Sequence, residues 1–172
     1  FDPTAKVTGP SILNWDFICR ETCAGYQSGH SWLADFVRKY RDTHGGRPPP
    51  VDIWAIDAYP LTWDKVPMTE WDIVRDQITG MRAWINQNVR ELAGKPIWIT
   101  EIASHWAYSS WTVADGHQTI GAGLDWDRDY LWNDMEQYMT GLFDWLKANG
   151  PAQGVAKWFL FLTYVNIREQ VK

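Results

Sequence analysis

The chain has 172 residues, 45% of them hydrophobic and 22% charged, and its 16 basic and 21 acidic residues leave a formal net charge of -5. These values are typical of one globular domain and exclude a disordered or low-complexity chain. Because the sequence has no basic cluster and no run of roughly 18 apolar residues, we expect neither a nucleic-acid partner nor a membrane partner.

The hydrophobic pattern predicts four β-strands that alternate with three helices. The strands fall at residues 5–8 continuing to 12–13, at 51–59, at 97–102 and at 155–164. The alternation predicts an α/β fold with a parallel sheet. Four such units fit either a small doubly wound sheet or half of a (β/α)8 barrel, which takes about 250 residues in full.

Each helix is predicted from apolar residues at helical spacing and from signals at its ends. The first has Ser28 or Ser31 available as its N-cap and stops at Gly45. The second starts at Thr69, whose hydroxyl can cap the first turn, and is ended by Gly94. The three apolar stripes are Leu33, Phe36, Val37 and Tyr40; Val74, Ile78, Met81, Ile85, Val89 and Leu92; and Leu131, Met135, Tyr138, Leu142 and Leu146.

Half a barrel leaves two unpaired strand edges, which favour aggregation unless a second half covers them. The chain also ends soon after its last predicted strand, with no helix to follow. We therefore expect residues 1–172 to form a single partial domain rather than a complete barrel.

Cysteine and histidine spacing argues against a metal site. Cys19 and Cys23 lie in a polar stretch where they can form a small disulfide in an oxidising compartment. The four histidines are scattered, with no pair at His-x-x-x-His spacing. We expect no metal.

The 13 tryptophans are the outlying feature of the composition. Their flat rings with a polar edge suit sugars, although a Trp-rich core would account for many of them. Those that follow strands should border one mouth and stack on a ligand: Trp15, Trp63, Trp106 and Trp111. Those within helices should pack between helix and sheet: Trp32, Trp84 and Trp145.

Glu101 is the candidate catalytic residue. Strict alternation in Ile97-Trp98-Ile99-Thr100-Glu101 places Ile97, Ile99 and Glu101 on one face, with the carboxylate at the C-terminal end of the strand. Catalytic groups project from that end in barrel enzymes, where a carboxylate can attack an electron-poor carbon. The alternative is a strand-end Glu that pairs with a lysine or caps the next loop.

Neighbouring positions can support this carboxylate. Asp57 and Tyr59 share a face at the same end of the preceding strand, so either can approach Glu101 and orient it by hydrogen bonding. The alternative is a Tyr that fills the barrel mouth beside a solvated Asp. Trp106, five residues beyond Glu101, is the strongest stacking candidate, and His105 beside it can bond a sugar hydroxyl or simply be exposed.

The segment Gly94-Lys95-Pro96-Ile97-Trp98-Ile99-Thr100-Glu101 resembles strand seven of clan A glycoside hydrolases. Residues 2–10, 51–60 and 154–159 resemble strands five, six and eight in the same order. The chain is most similar to glycoside hydrolase family 128, which contains endo-β-1,3-glucanases, and more loosely to family 39. The resemblance implies strands five to eight, the second half of a TIM-type (β/α)8 barrel.

The resemblance also assigns roles to individual residues. Glu101 matches the nucleophile, Tyr59 the aromatic residue of strand six that lines the cleft, and Trp158 the aromatic residue of strand eight beneath the bound sugar. Asp57 stands where these families commonly have His. The resemblance therefore implies a retaining hydrolase of β-linked polysaccharide, β-1,3-glucan in particular, that needs no cofactor.

A retaining hydrolase also needs a second carboxyl group as acid and base. In the family this residue ends strand four, within Asn-Glu-Pro, a motif that the chain lacks. We expect it on a missing N-terminal half, so that the 172 residues alone are inactive. The expected protein is secreted or extracellular. The competing hypothesis is a non-catalytic carbohydrate-binding protein that uses Trp-lined loops.

Overall fold

The computed structural model of the chain describes residues 2–16, 27–60, 69–104 and 132–161. The strands are β1 (Thr8–Leu13), β2 (Ile53–Ala58), β3 (Ile97–Ile102) and β4 (Val155–Leu160). The helices are α1 (Gly29–Thr43), α2 (Trp71–Asn88) and α3 (Trp132–Asn149), with short 3-10 turns at Arg90–Leu92 and Pro151–Gln153.

The four strands form one parallel sheet in the order β1-β2-β3-β4. Every strand therefore lies beside its neighbour in sequence, as in a barrel and unlike the strand order of a doubly wound sheet. The predicted α/β class is confirmed, and the architecture is consistent with half of a TIM-type barrel.

Helix α1 begins and ends where the sequence signals predict. The Ser28 hydroxyl accepts a hydrogen bond from the Ser31 backbone N–H at 3.1 Å, which satisfies a donor of the first turn. After Thr43, Gly45 and Gly46 adopt positive φ angles of 64° and 80°. This left-handed backbone terminates the helix at low cost because glycine has no Cβ.

Helix α2 has the predicted buried stripe but different ends. The Thr69 hydroxyl was expected to cap it, and this is wrong: Glu70 occupies the N-cap position and makes no side-chain capping bond. The helix ends at Asn88 rather than near Gly94, because the chain tightens into the 3-10 turn before β3.

All three helices pack on the same face of the sheet, which we call the helix-covered face. Alternate strand residues point into this layer and the other residues point to the opposite side, which we call the open face. One buried cluster joins the sheet residues Ile12, Trp54, Ile56, Ala58, Ile97, Ile99, Ile102 and Val155 to the helix residues Leu33, Val37, Val74, Ile78, Met81, Ile85, Tyr138, Leu142 and Leu146.

The helical tryptophans follow their prediction in two cases out of three. Trp84 and Trp145 pack against the core cluster. Trp32 instead stacks on Phe36 along the surface of α1 and remains substantially exposed. Trp71 of α2 also packs between helices. Its ring lies where a side chain at Gly141 of α3 would be, so α2 and α3 can pack tightly there.

Arg82 ties together the N-terminal end of the sheet. It is only 7% exposed, and its guanidinium donates to the backbone carbonyls of Ala93 and Gln153 at 2.7 Å and of Lys95 at 2.9 Å. These carbonyls belong to the segments that lead into β3 and β4. Gly154, with a φ of 72°, leaves room for the guanidinium because a Cβ there would lie 2.5 Å from it.

Within the described ranges, no helix has the length and apolar character needed to cross a membrane.

Candidate active site

A shift in strand register determines where Glu101 points. Ile56 pairs with Ile99, yet the next residue of β2, Asp57, pairs with Glu101 rather than with Thr100. Paired residues of parallel strands share a face, and successive residues of a strand alternate. Glu101 therefore lies on the face opposite Ile99, the open face.

This placement corrects the strict alternation expected from the sequence. Ile97 and Ile99 are fully buried in the helix-covered layer, whereas Glu101 is only half-buried. The irregularity adds one residue to β3 near its end, as a β-bulge does. Without it, Glu101 would point into the helices.

The hydrogen bond expected between strands two and three is present. Tyr59, one residue after β2, donates its hydroxyl proton to Oε2 of Glu101 at 2.5 Å. Burial, followed by the hydrogen bond to Glu101, raises the pKa of Tyr59 well above its ordinary value of 10.0. Tyr59 therefore stays protonated at neutral pH and acts as a donor to the carboxylate.

Asp57 does not make the corresponding contact. Its Oδ1 accepts a hydrogen bond from the Thr100 hydroxyl at 2.7 Å, and Thr100 in turn lies 2.7 Å from the Ser11 hydroxyl. These three polar residues connect β1, β2 and β3 across the sheet. Of the two residues predicted to orient Glu101, Tyr59 is hydrogen-bonded to it, while Asp57 lies beside it in the strand register.

Phe159 of β4 and Phe161, one residue after β4, continue the open face beside Glu101. Phe161 packs edge-on against Tyr59, with 6.4 Å between ring centroids. Phe159 packs against Trp98 at 6.0 Å, and Lys157 lies over the same Trp98 ring with its Nζ 4.7 Å from the centroid. Phe159 and Phe161 are 47% and 41% exposed.

Trp158 lies on the other face. It pairs with Ile99 across β3 and β4, and its ring is 6.5 Å from Phe143 of α3. Another register shift, between the pairs Ile97–Val155 and Trp98–Lys157, sends Trp158 to the helix side. The structure thus corrects its expected place beneath a sugar at Glu101, and Phe159 and Phe161 occupy that side instead.

Trp15 was predicted to stack on a ligand at the mouth of the site, and this prediction is wrong. It is 2% exposed, stacks on His30 with 4.6 Å between centroids, and meets Trp84 edge-on. The absence of a side chain at Gly80 gives the indole its space. Trp15 therefore packs in the helix layer, and its ring is too buried to contact a sugar.

The remaining predictions lie outside the described residues. They are the stacking candidates Trp63, Trp106 and Trp111, the hydroxyl-binding candidate His105, and the disulfide candidates Cys19 and Cys23. Among the residues that the structure does describe, no cluster of three or more His, Cys, Asp or Glu side chains could hold a metal ion.

Two buried polar side chains near the site were not anticipated. Asn14 is 2% exposed and accepts the backbone N–H of Tyr59 on its Oδ1 at 2.9 Å. Gln77 is 7% exposed and donates from its Nε2 to the carbonyl of Tyr59 at 2.8 Å. The available signal was a polar residue inside an apolar context, since Gln77 directly precedes Ile78 of the buried stripe.

The sequence over residues 2–172 matches the family described as glycosyl hydrolase catalytic core. The chain belongs to this family, which confirms the glycoside hydrolase resemblance predicted from its strand motifs. No curated protein matches the sequence.

Among solved structures, the chain is similar to the crystal structure of a GH128 (subgroup II) endo-β-1,3-glucanase from Pseudomonas viridiflava, with 24% sequence identity and a TM-score of 0.49. The match covers 94% of this chain and 45% of that chain, so these residues span less than half the length of that glucanase. The looser resemblance to family 39 stays a prediction.

Proposed function

We propose that this chain is part of a retaining glycoside hydrolase that acts on β-linked polysaccharide, with β-1,3-glucan favoured and Glu101 as nucleophile. The observation that carries the proposal is the Glu101 carboxylate, which lies on the open face at the C-terminal end of a parallel strand and accepts the Tyr59 hydroxyl. Catalytic groups of (β/α)8 barrels project from this end. Membership of the glycosyl hydrolase family supports the same chemistry.

In the proposed reaction, one oxygen of Glu101 attacks the anomeric carbon of the sugar. The bond from that carbon to the glycosidic oxygen breaks, and a second carboxylic acid gives its proton to the departing oxygen. The resulting carboxylate then removes a proton from water, which attacks the anomeric carbon and releases Glu101. Each cycle consumes one water and leaves both carboxyl groups in their starting forms.

Tyr59 suits the first step because it bonds only one oxygen of Glu101. Its hydroxyl donates to Oε2, which favours one rotamer of the carboxylate and leaves the second oxygen without this hydrogen bond. The second oxygen of the carboxylate is then the one that attacks. Because the pKa of Tyr59 is raised by burial and by Glu101, it remains a donor rather than a competing anion.

We propose that another part of the protein supplies the acid and base of this reaction. It must stand about 5 to 5.5 Å from the nucleophile in a retaining enzyme. We propose that β1 to β4 are strands five to eight of the complete barrel and that an N-terminal half supplies this carboxyl group. The 172 residues alone are then inactive.

The substrate wall of the proposed site combines aromatic rings with polar groups. Phe159 and Phe161 are exposed on the side of the sheet that carries Glu101, and such rings can contact the apolar faces of a sugar. Asp57 lies in register beside Glu101 and can accept a sugar hydroxyl. Trp106 and His105, which follow β3 in the sequence, remain proposed contacts. We propose secretion, since the polymeric substrate lies outside cells.

The test is Glu101→Gln in the complete protein, assayed for release of reducing ends from β-1,3-glucan. We expect turnover to fall about 10⁴-fold or more, because the amide cannot form the covalent intermediate. Glu91→Gln is the matched control, since Glu91 lies at the surface and pairs with Arg41 at 3.0 Å; it should keep its activity. Substantial turnover by a folded Glu101→Gln protein would overturn the proposal. Glucan binding without hydrolysis by the complete unmodified protein would favour the carbohydrate-binding alternative.

A further inference from the structure

Tyr59 lies outside the regular strand that precedes it. Strand β2 ends at Ala58, so the sheet does not by itself fix the backbone of the next residue. Yet the hydroxyl of Tyr59 meets Glu101 at 2.5 Å, a distance that requires a well-defined backbone position at its base. The groups that bond the Tyr59 peptide therefore determine where the hydroxyl points.

Two buried side chains bond this peptide unit from both sides. The Oδ1 of Asn14 accepts the Tyr59 N–H at 2.9 Å, and the Nε2 of Gln77 donates to the Tyr59 carbonyl at 2.8 Å. Both side chains are at least nine-tenths buried, so water does not compete for these bonds. Asn14 extends from the end of β1 and Gln77 from α2, so two separate elements fix one residue.

The backbone of Asn14 and the side chain of Gln77 are themselves held by hydrogen bonds. The Asn14 N–H donates to the carbonyl of Asp57 at 2.9 Å, and Asn14 adopts a φ of 46°, a left-handed conformation that Asn tolerates better than most residues. The Gln77 Oε1 accepts the N–H of Trp15 at 3.1 Å, which fixes the orientation of its amide. The network thus joins β1, β2 and α2 beneath the carboxylate.

We propose that Asn14 and Gln77 are positioning residues that act on the reaction through Tyr59, keeping its hydroxyl on the Glu101 oxygen. This inference rests on the proposed role of Glu101 as nucleophile. Neither side chain is placed to touch the substrate, because both are buried beneath the Tyr59 backbone. Their effect should appear in kcat, which depends on the orientation of the carboxylate, rather than in KM.

The main experiment compares variants of the complete protein in β-1,3-glucan hydrolysis. Asn14→Gly keeps the left-handed backbone accessible but removes the acceptor, and Gln77→Leu removes the donor. We expect each to lower kcat by about 10- to 100-fold while KM changes less than about twofold, since misplacement of about 1 Å costs up to about 10²-fold. Asn14→Asp, which retains an acceptor oxygen, should recover most of the kcat lost in Asn14→Gly.

The Tyr59→Phe background separates positioning from mere stability. If Asn14 and Gln77 act through the Tyr59 hydroxyl, their substitutions should lower kcat by less than about twofold once that hydroxyl is absent. The full loss in the Tyr59→Phe background, or no loss in its presence, would overturn the inference. Should Gln77→Leu fail to fold, Gln77→Met removes the same donor with an unbranched side chain that adapts more easily to the buried site.

The Glu101→Gln variant separates the failure of the proposed function from the failure of the positioning role. An active Glu101→Gln protein contradicts the proposed function itself. An inactive Glu101→Gln protein together with additive effects of Asn14→Gly and Tyr59→Phe contradicts only the positioning role.

Discussion

At both ends of the sheet, buried polar side chains form hydrogen bonds to backbone groups, but the two networks differ in what they hold in place. At the N-terminal end, Arg82 is buried and bonds three backbone carbonyls of the segments before β3 and β4. At the C-terminal end, Asn14 and Gln77 are buried and bond the backbone of Tyr59, which carries a hydroxyl to the half-buried Glu101. Only the second network ends on a group that can react.

We propose that the N-terminal network serves stability and that the C-terminal network serves the proposed reaction. The N-terminal network is structural, because three N–H groups of Arg82 donate to backbone carbonyls of the same fold. The C-terminal network leads from buried amides through Tyr59 to a carboxylate on the open face. Substitutions at the two ends should therefore affect different measurements, unfolding at one end and turnover at the other.

The largest effect on folding is expected from Arg82→Met, which removes a charged donor from three partly buried backbone carbonyls. We expect the complete protein to lose about 3 to 5 kcal/mol of unfolding free energy, with kcat per folded molecule nearly unchanged. Urea denaturation with a parallel activity assay measures both quantities.

Arg41→Met is the matched control for Arg82. Arg41 also bonds a backbone carbonyl, that of Asn88 at 3.1 Å, but it pairs with Glu91 near the surface and should cost less than about 1 kcal/mol. Equal costs for Arg82→Met and Arg41→Met would show that the buried network has no special role at this end.

The next largest effect is expected at the C-terminal end, where Tyr59→Phe removes one hydroxyl and little volume. We expect kcat of the complete protein to fall about 10²-fold, because Glu101 loses the donor that orients it. Tyr40→Phe, at a tyrosine of α1 whose ring stacks on His44, is the control and should change kcat less than about twofold. An unchanged kcat in Tyr59→Phe would contradict the proposed role of Tyr59 beside Glu101.

The smallest effect is expected for Asp52→Asn at the N-terminal end. The Asp52 carboxylate accepts the Val7 N–H and the Lys95 ammonium, both at 3.1 Å, and these bonds hold its pKa below the ordinary value of 3.8. A lowered pKa in the folded state stabilises the protein above that value, and the stabilisation disappears as the pH falls through the folded-state pKa. Unfolding curves should thus show a modest cost of Asp52→Asn near neutral pH that shrinks in acid. A cost that grows in acid would reverse the sign of this assignment.

The sequence predicted most of the fold because the core of each element is periodic. Strand β3 was predicted with its observed bounds, and the buried stripe of α2 includes Val74, Ile78, Met81 and Ile85 as expected. Element ends were less predictable, since Thr69 offers a plausible cap that the backbone does not use. Local composition does not reveal which of several candidate caps the packing selects.

The site was predicted only in part, because the alternation of apolar and polar residues along one strand does not reveal a shift in register between strands. Strict alternation assigns Glu101 to the side of Ile99, and only the shift beside Asp57 turns the carboxylate toward Tyr59. The same cause moved Trp158 to the helix side of β4. Trp15 follows a strand, which is the position expected of a ligand-binding ring. Its ring instead packs in the helix layer, where the missing side chain of Gly80 leaves room for it.

The most direct measurement of the central claim is covalent trapping of the nucleophile in the complete protein. A 2-deoxy-2-fluoro analogue of a β-1,3-linked glucose disaccharide, with a good leaving group, should form a glycosyl-enzyme that hydrolyses slowly enough for peptide mass spectrometry. The predicted result is one sugar attached to Glu101, with labelling abolished in Glu101→Gln. A label on Asp57 or any other carboxylate, or turnover of this analogue without any covalent adduct, would contradict the assignment of Glu101 as the nucleophile.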